Sequence, residues 1–350
     1  MLSRIKNLNV FLNDSDKKSF LKIIKEVIHF SWIKKALPTD YFRKYLYRRD
    51  VTDYTSYLSF KEYNSILSSK QLVFPEISAL LNNKLSFSLL CKTNHIKTPK
   101  LFSYHIKNRF YFNDKIFVIH TENDLLSFFE NVFETQNIDA LFLKPLQGIG
   151  GQGCILLNKN NLKNKIQHAK KSLLKASYLH QECIEQHTEI NKIHAKSINT
   201  LRCVTYIDKE NKIHIVSIFM RFGVGNSVTD NVTSGGFYIA VNTETGVLQG
   251  QGRQSVVMGG NVFNNHPNSN FKLDGFKIPY FTEACDLVKY AALYFPSRII
   301  GWDVAITHTG PIIIEGNHNP DLQTSDTAYG GYCKSPIIKE ILKEINTLPA

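Results

Sequence analysis

The 350-residue sequence contains no CxxC pair, and its six cysteines (Cys91, Cys154, Cys183, Cys203, Cys285, Cys333) stand far apart. Such spacing argues against a zinc site or a disulfide framework and fits ordinary buried thiols in a reducing compartment. No apolar run approaches the length of a membrane span. The N-terminus, MLSRIKNLNVFLNDSD, lacks the apolar core of a signal peptide, so a cytoplasmic protein is expected. Internal repeats and low-complexity segments are missing as well. So are a Ser–His–Asp or Cys–His arrangement and any recognised nucleic-acid-binding motif.

What remains is an ordinary globular composition, 43% hydrophobic and 21% charged, with a formal net charge of +12. A chain of this length can build two or three lobes around a substantial core. The lysines are spread along it. That balance suits an anionic partner, whether nucleotide, sugar nucleotide, acidic polysaccharide, membrane surface or nucleic acid, and does not choose among them.

The most informative stretch is RIIGWDVAITHTGPIIIEGNHNP, residues 298–320. It predicts two strands, Arg298–Thr307 and Pro311–Asn317, joined by the turn residues His308, Thr309 and Gly310. Folded as an antiparallel hairpin about Thr309, it sets Asp303 opposite Glu315, with Asn317 on the same face. Hard divalent cations such as Mg2+ take oxygen ligands of this kind together with substrate phosphates. A solvated hairpin face with scattered polar residues is the plainer alternative. The neighbours Ile299, Ile300, Trp302, Val304 and Ile312–Ile314 favour strands buried on both sides, where unpaired carboxylates are costly. A slip of one residue would turn Asp303 to the wrong face.

The second informative stretch is LFLKPLQGIGGQGCILLN, residues 141–158. Gly148, Gly150 and Gly153 satisfy GxGxxG, but Cys154–Leu157 reads as a strand, whereas a dinucleotide fingerprint needs a helix there. A glycine hairpin can instead place backbone N–H groups over nucleotide phosphates, with Lys144 on the entering strand within reach. An ordinary mobile hairpin is the competing reading.

The first 75 residues read as helical, basic and aromatic. In FLKIIKEVIHFSWIKKAL, Phe20, Ile23, Ile24, Val27, Ile28 and Ile33 recur at helical spacing with Lys22, Lys25, Lys34 and Lys35 between them. Asp40–Arg49 reads as a second short helix. The region is either a docking surface for an acidic membrane or partner, or an amphipathic helix with its apolar face on the main body and its lysines solvated. The second is the working expectation. Further on, the pattern predicts a helix in Asn82–Pro99 with Lys84 in its first turn and Leu85, Leu89 and Leu90 inward. It also predicts a strand at Lys115–His120 and helices at Glu122–Phe133, Lys163–Lys175 and Glu283–Phe295. Further strands fall at Tyr178–Ile184, Ser197–Ile207, Lys212–Phe222 and Phe237–Val241. The polar loop Gly223–Gly236 is long enough to carry function.

In order, these parts are a helix lysine, a strand lysine before a glycine flap, a hinge strand with acidic residues and a terminal Asp…Glu-x-Asn hairpin. The set resembles the ATP-grasp superfamily over roughly residues 75–335. The runs EQHTEINKIHAKSINTLRCVTYI, DNVTSGG, HPNSNFKLDGFKIP and IIGWDVAIT…IIEGNHNPDLQ look like its sugar-transfer-associated family. The resemblance implies an α+β fold, two lobes gripping ATP, behind an N-terminal helical extension (residues 1–75). The core would divide into 76–140, a glycine-flap nucleotide lobe at 141–185 and a catalytic lobe at 186–350.

By the same resemblance, Lys84, Lys144 and the flap glycines Gly148, Gly150, Gly151 and Gly153 attend the phosphates of ATP. Glu182, Cys183 and Ile184 hold adenine, and Glu185 or Glu189 the ribose. Asp303, Glu315 and Asn317 bind two Mg2+ ions. Relatives such as D-alanine–D-alanine ligase carry an arginine two residues before the first metal aspartate. Gly301 stands there in this chain, so the γ-phosphate arginine is sought among Arg202, Arg221 and Arg298, in that order. A basic cleft lined by Arg202, Arg221 and Arg253 would favour an anionic acceptor.

The implied activity is an ATP-dependent carboxylate–amine ligase that releases ADP and phosphate, modifying a sugar acid in surface polysaccharide biosynthesis. The implied substrates are a small-molecule or sugar-linked carboxylate and an amine, with residues 1–75 available to a membrane or glycan-assembly partner. An ATP-grasp phosphotransferase is the alternative on the same fold. A basic nucleic-acid-binding protein is the remote one.

Overall fold

The computed structural model describes residues 9–148 and 150–346; residues 1–8 of the basic N-terminal region and Ile149 of the glycine loop lie outside the described residues. Two antiparallel sheets organise the chain. The first is ordered β3-β2-β1-β6-β4-β5, with β1 Leu101–Ile106, β2 Arg109–Phe112, β3 Lys115–Val118, β4 Ala140–Pro145, β5 Ile155–Asn158 and β6 Ser177–Gln181. The second is ordered β11-β10-β9-β8-β7-β12-β13. Its strands are β7 Thr200–Ile207, β8 Ile213–Phe222, β9 Phe237–Val241, β10 Leu248–Gln254, β11 Val262–Phe263, β12 Ile299–Thr307 and β13 Gly310–Asn317.

Before the first sheet come α1 Phe20–Lys34, α2 Thr39–Arg43, α3 Phe60–Ser68, α4 Pro75–Asn82 and α5 Lys84–Thr93. Within and after the sheets come α6 Glu122–Gln136, α7 Leu162–Lys175, α8 Thr188–Asn191, α9 Phe281–Tyr294, α10 Leu322–Ala328 and α11 Pro336–Asn346. Helices α6 and α7 cover the first sheet through an aromatic core that includes Phe110, Phe128, Phe129 and Phe133. Thr121 opens α6 as expected, with Asp124 completing a reciprocal capping box.

Every residue of β12 is buried. Helix α9 packs on one side of the second sheet, through Ala284, Val288 and Ala291. On the other side Leu58, Ile66, Leu322, Ile338 and Ile341 gather around Val204, Tyr206 and Ile299. This double cover explains why apolar residues fall on both faces of β12 instead of alternating with polar ones.

The β12–β13 hairpin pairs Asp303 with Glu315, Trp302 with Gly316 and Gly301 with Asn317. Nearer the tip the register changes, with Val304 opposite Ile313 and Thr307 opposite Gly310. Ile314 is therefore an extra residue in a β-bulge, and the tip is one residue tighter than a turn centred on Thr309. The glycine segment likewise forms a strand–loop–strand hairpin, β4 with β5. Gly148, Gly150, Gly151 and Gly153 all take positive φ, which a side chain would resist.

Several expectations need correction. Two strands, β1 and β2, precede the predicted Lys115 strand. Their connection to β3 uses Asn113 and Asp114, both at positive φ, in a tight hairpin turn. In α5 the inward residues are Phe87, Ser88 and Cys91, while Leu89 is exposed. The second N-terminal helix stops at Arg43 rather than Arg49. Tyr45 turns left-handed there, burying its ring and giving its hydroxyl to the Gln254 carbonyl at 2.7 Å. Next to it Lys44 reaches Asp326 at 2.6 Å and the Leu58 carbonyl at 2.6 Å, all buried.

Helix α1 departs furthest from expectation. Its inward residues include Glu26 and Lys34 beside Ile23 and Phe30, and much of its apolar surface faces outward. Glu26 is held by Lys18 at 2.6 Å and by the Tyr41 hydroxyl at 2.6 Å, and Lys34 by Glu62 at 3.1 Å. No helix among the described residues is long and apolar enough to cross a membrane.

Lys44 fastens the N-terminal region to the second sheet, and its loss should be costly. Burial pushes Asp326 up against the pull of Lys44. Lys44→Met should lower unfolding free energy by about 3–5 kcal/mol at neutral pH in urea titrations, by stranding a buried carboxylate. A carboxyl whose folded pKa is raised destabilises when ionised, so the deficit should shrink as pH falls and Asp326 takes up its proton.

Candidate functional site

A cleft of about 1150 Å³ opens between the two sheets. The first sheet and its glycine loop supply Lys144, Gly148, Gly150 and Gly151; the second supplies Arg202, Arg221, Asp303, Glu315 and Asn317. Helix α5 contributes Lys84, and the N-terminal region contributes Arg43 and Tyr63.

The floor is a buried charge cluster. Arg202, on β7, is the cross-strand partner of Asp303, and its Nε and Nη2 donate to Oδ1 at 2.5 Å and Oδ2 at 3.2 Å. Arg221, from β8, places Nη2 2.8 Å from the same Oδ2 in an ion pair, lies 3.4 Å from Asp230, and donates Nε and Nη2 to the Thr200 hydroxyl at 3.1 and 2.5 Å. Asp230, in the polar loop, accepts from the Thr200 backbone N–H at 2.9 Å and hydroxyl at 2.5 Å. Two guanidiniums and two carboxylates sum to zero, which makes burial of all four tolerable. Burial alone would raise Asp303, yet the two arginines overcome it and hold the carboxyl well below its ordinary range. Burial also dominates at Asp230, and Arg221 only partly offsets it, so that carboxyl is raised.

Gly301 accounts for the missing arginine. A Cβ there would lie 2.7 Å from the Pro320 Cα and 3.2 Å from the Arg202 Cδ. The space beside the aspartate is thus filled by an arginine from the adjacent strand, which crosses over a glycine in place of a side chain on β12 itself.

Above this floor, Lys144 Nζ bridges the two sheets to Glu315 Oε2 at 3.2 Å. Asn83 caps α5 by accepting from the backbone N–H groups of Leu85 and Ser86. That fixes Lys84 at the first helical position, where its Nζ donates to the Gly148 carbonyl at 3.0 Å. Burial first, and then nearby Lys144, lower the Lys84 pKa. The glycine loop also meets the polar loop: a Cβ on Gly150 would approach Asn231 Nδ2 to 2.7 Å, and one on Gly151 would approach Thr229 Cγ2 equally closely.

The donor set fits a hard divalent cation. Both oxygens of Asp303 are engaged by arginine, whereas Glu315 is held only by Lys144 among the described residues. Asn317 adds an amide oxygen on the same face, while its Nδ2 is a buried donor with no hydrogen-bond partner among the described residues. Carboxylate and amide oxygens of this kind suit Mg2+.

Other candidates fare unevenly. Ile184 lines the cleft beside Gln181, but Glu182, Cys183, Glu185 and Glu189 do not. Glu182 is bound to Lys100 through its backbone N–H at 2.9 Å and its carboxylate at 3.1 Å. Both oxygens of Glu189 are taken by Lys192, and Glu185 is exposed. Arg298 is turned away: it binds the Ile207 carbonyl, Tyr206 and Glu344, outside the cleft. Arg253 pairs with Asp50 in a separate, smaller pocket and not in the basic cleft expected of it.

Sequence reasoning missed Asp230, Thr200, Arg43, Tyr63 and the half-buried Asp321, whose carboxyl is raised by desolvation. The runs DNVTSGG and NHNPDLQ held a signal for Asp230 and Asp321. The other three are joined to the site only by folding.

A family model described as sugar-transfer associated ATP-grasp matches residues 69–340. The chain belongs to this family. Among solved structures it is similar to D-alanyl-alanine synthetase A from Vibrio cholerae O1 biovar eltor, at 10% identity and a TM-score of 0.47 over 79% of this chain and 68% of that one. It is also similar to the ATP-grasp ligase PsnB complexed with minimal precursor, at 12% identity and 0.44 over 79% and 63%. A third is N5-carboxyaminoimidazole synthetase from Staphylococcus aureus complexed with ADP, at 10% and 0.39 over 68% and 44%. The last two of these structures are thus spanned over less than two thirds of their own lengths. No curated protein matches the sequence.

Replacing Asp303 by Asn should expose the role of the charge cluster. With two arginines left against one carboxylate, stability near neutral pH should fall by about 3–5 kcal/mol. A depressed folded pKa contributes stability above the ordinary carboxylate range and loses it as pH falls through the folded value. The wild type should therefore show an acid-side loss of stability, below about pH 4, that Asp303→Asn lacks in denaturant titrations across pH.

Proposed function

We propose that this chain is an ATP-dependent ligase that joins a carboxylate to an amine through an acyl phosphate, releasing ADP and phosphate. The observation that carries this reading is the meeting, in one cleft, of Lys84, Lys144 and the glycine loop with the Asp303–Glu315–Asn317 face and its arginines. Adenine lies along the backbone from Gln181 to Ile184. Glu185, which has no ion pair among the described residues, is the better ribose ligand than the engaged Glu189.

Lys84 and Lys144 receive the phosphates, and Lys144 then exchanges Glu315 for a phosphate oxygen. That exchange frees Glu315, which with Asn317 and Asp303 would hold Mg2+. Bound there, the metal supplies charge neutralisation for phosphoryl transfer. Arg202 and Arg221, fixed by Asp303, present their remaining N–H groups to the γ-phosphoryl and to the oxyanion formed when the amine attacks the acyl carbon.

The acceptor enters opposite the phosphates. Arg43 is exposed at the cleft wall and forms no ion pair among the described residues, so an anionic carboxylate is its natural counterpart. The family's association with sugar transfer supports a sugar-linked acid in polysaccharide biosynthesis.

Incubation with ATP, Mg2+, hydroxylamine and a panel of uronic acids should yield a hydroxamate and ADP. AMP as product, or a phosphorylated hydroxyl with no trapped acyl group, would refute the ligase reading. Glu315→Gln should abolish this turnover with the fold intact by circular dichroism. Lys144→Ala should weaken ATP binding by about 1.5–3 kcal/mol in calorimetry, the range for a charge-assisted contact. Arg43→Ala should raise the KM for the acid while leaving that for ATP unchanged.

A further inference from the structure

Helix α1 is built the wrong way round for a helix that merely covers a protein core. Its inward face includes two charged residues, Glu26 and Lys34. Outward it presents Phe20 at 70% exposure, Leu21 at 74%, Ile28 at 65% and Trp32 at 76%, with Ile24 beside them and Leu37 just beyond the helix. At 100° per residue, Phe20, Leu21, Ile24, Ile28 and Trp32 fall within an arc of about 120°. Isolated exposed apolar residues are commonplace, but a contiguous stripe of large ones marks an interaction surface.

The charges around the stripe select its occupant. Lys25 borders it on the helix, Lys22 lies further round on the same side, and Lys35 follows at the helix end; all three are exposed and form no ion pair among the described residues. Exposed carboxylates are lacking on α1, whose only acidic residue is the buried Glu26. A second copy of the chain, with formal charge +12, would bring lysines against lysines. An anionic lipid surface meets both halves of the pattern: acyl chains take the stripe, and headgroups take the lysines, whose alkyl stems lie along the apolar boundary.

We propose that α1 docks the protein onto anionic membrane surfaces, lying in the interface with Phe20, Leu21, Ile24, Ile28 and Trp32 inserted and Lys22, Lys25 and Lys35 at headgroup level. The inward face has no part in this contact. Its pairs Lys18–Glu26 and Lys34–Glu62 keep the helix seated on the protein whether or not lipid is present. The surface rests on different residues from the ATP cleft, so it can be tested apart from the ligase reading.

The test uses the full chain and vesicles of phosphatidylcholine with or without an equal part of phosphatidylglycerol, read by co-sedimentation and tryptophan emission. The chain has two tryptophans, and Trp302 is fully buried, so a lipid-induced blue shift reports on Trp32. The expected result is sedimentation and a blue shift with the anionic vesicles only, weakened by salt. Binding should drop at least tenfold in the triple variant Leu21→Ser, Ile28→Ser, Trp32→Ser, and also in Lys22→Gln with Lys25→Gln, both retaining the wild-type thermal transition.

Failure of the wild type to bind anionic vesicles overturns the proposal. So does lipid-free self-association that the triple variant abolishes, since a second copy would then cover the stripe. A blue-shifted Trp32 in lipid-free protein that moves red on deletion of residues 1–8 also overturns it, because the chain's own N-terminus would be the occupant.

Discussion

The placement of two guanidiniums around one carboxylate at the centre of the second sheet governs the rest of the site. Asp303 lies on a strand covered by helices on both sides, where an unpaired charge would be prohibitive. Arg202 reaches it from one strand away and Arg221 from two, so three strands are locked in register by side chains as well as by backbone ladders. Asp230 then draws the polar loop down onto the same cluster and closes the cleft floor. The price of burying four charges is met by their mutual pairing, and the cluster leaves guanidinium N–H groups aimed at the cleft.

A second layer of charge lies above the floor and is held more loosely. Lys144 spans from the first sheet to Glu315 on the second, and Lys84 rests on a carbonyl of the glycine loop. Both contacts are more exposed than those of the floor. On the proposed function, the exchange of Lys144 from Glu315 to a phosphate would draw on this upper layer alone and leave the paired lower layer to hold the sheet.

The sequence disclosed much of this because the relevant signals are local. The Asp303–Glu315–Asn317 face follows from strand alternation and a short turn. The glycine hairpin follows from strand patterns on either side of a loop that only glycine tolerates. What could not be read were relations across strands. Arg202 was one candidate of three because nothing along the chain says that β7 lies beside β12, and Gly301 gains its meaning only from that neighbour. Arg298, far nearer to Asp303 in sequence than Arg202, is drawn away by Glu344 on α11. The N-terminal helix misled for a different reason. Periodicity reveals a helix with apolar stripes but does not say which stripe faces the protein, and the inward side is fixed by ion pairs with residues outside the helix.

The bulge at Ile314 separates the hairpin into two mechanically distinct halves. On the tip side, Val304–Thr307 and Gly310–Ile313 keep one register; on the site side, Gly301–Asp303 and Glu315–Asn317 keep another. On the β12 side, Gly301–Asp303 are held as well by the ladder to β7. Insertions or deletions at His308 and Thr309 should therefore be absorbed at the tip without changing the phase of the Asp303–Glu315–Asn317 face. A single-residue indel between Ile314 and Asn317 would instead invert the face and send Glu315 into the core. The hairpin is thus tolerant of length variation at one end and intolerant at the other, with the boundary drawn by one unpaired isoleucine.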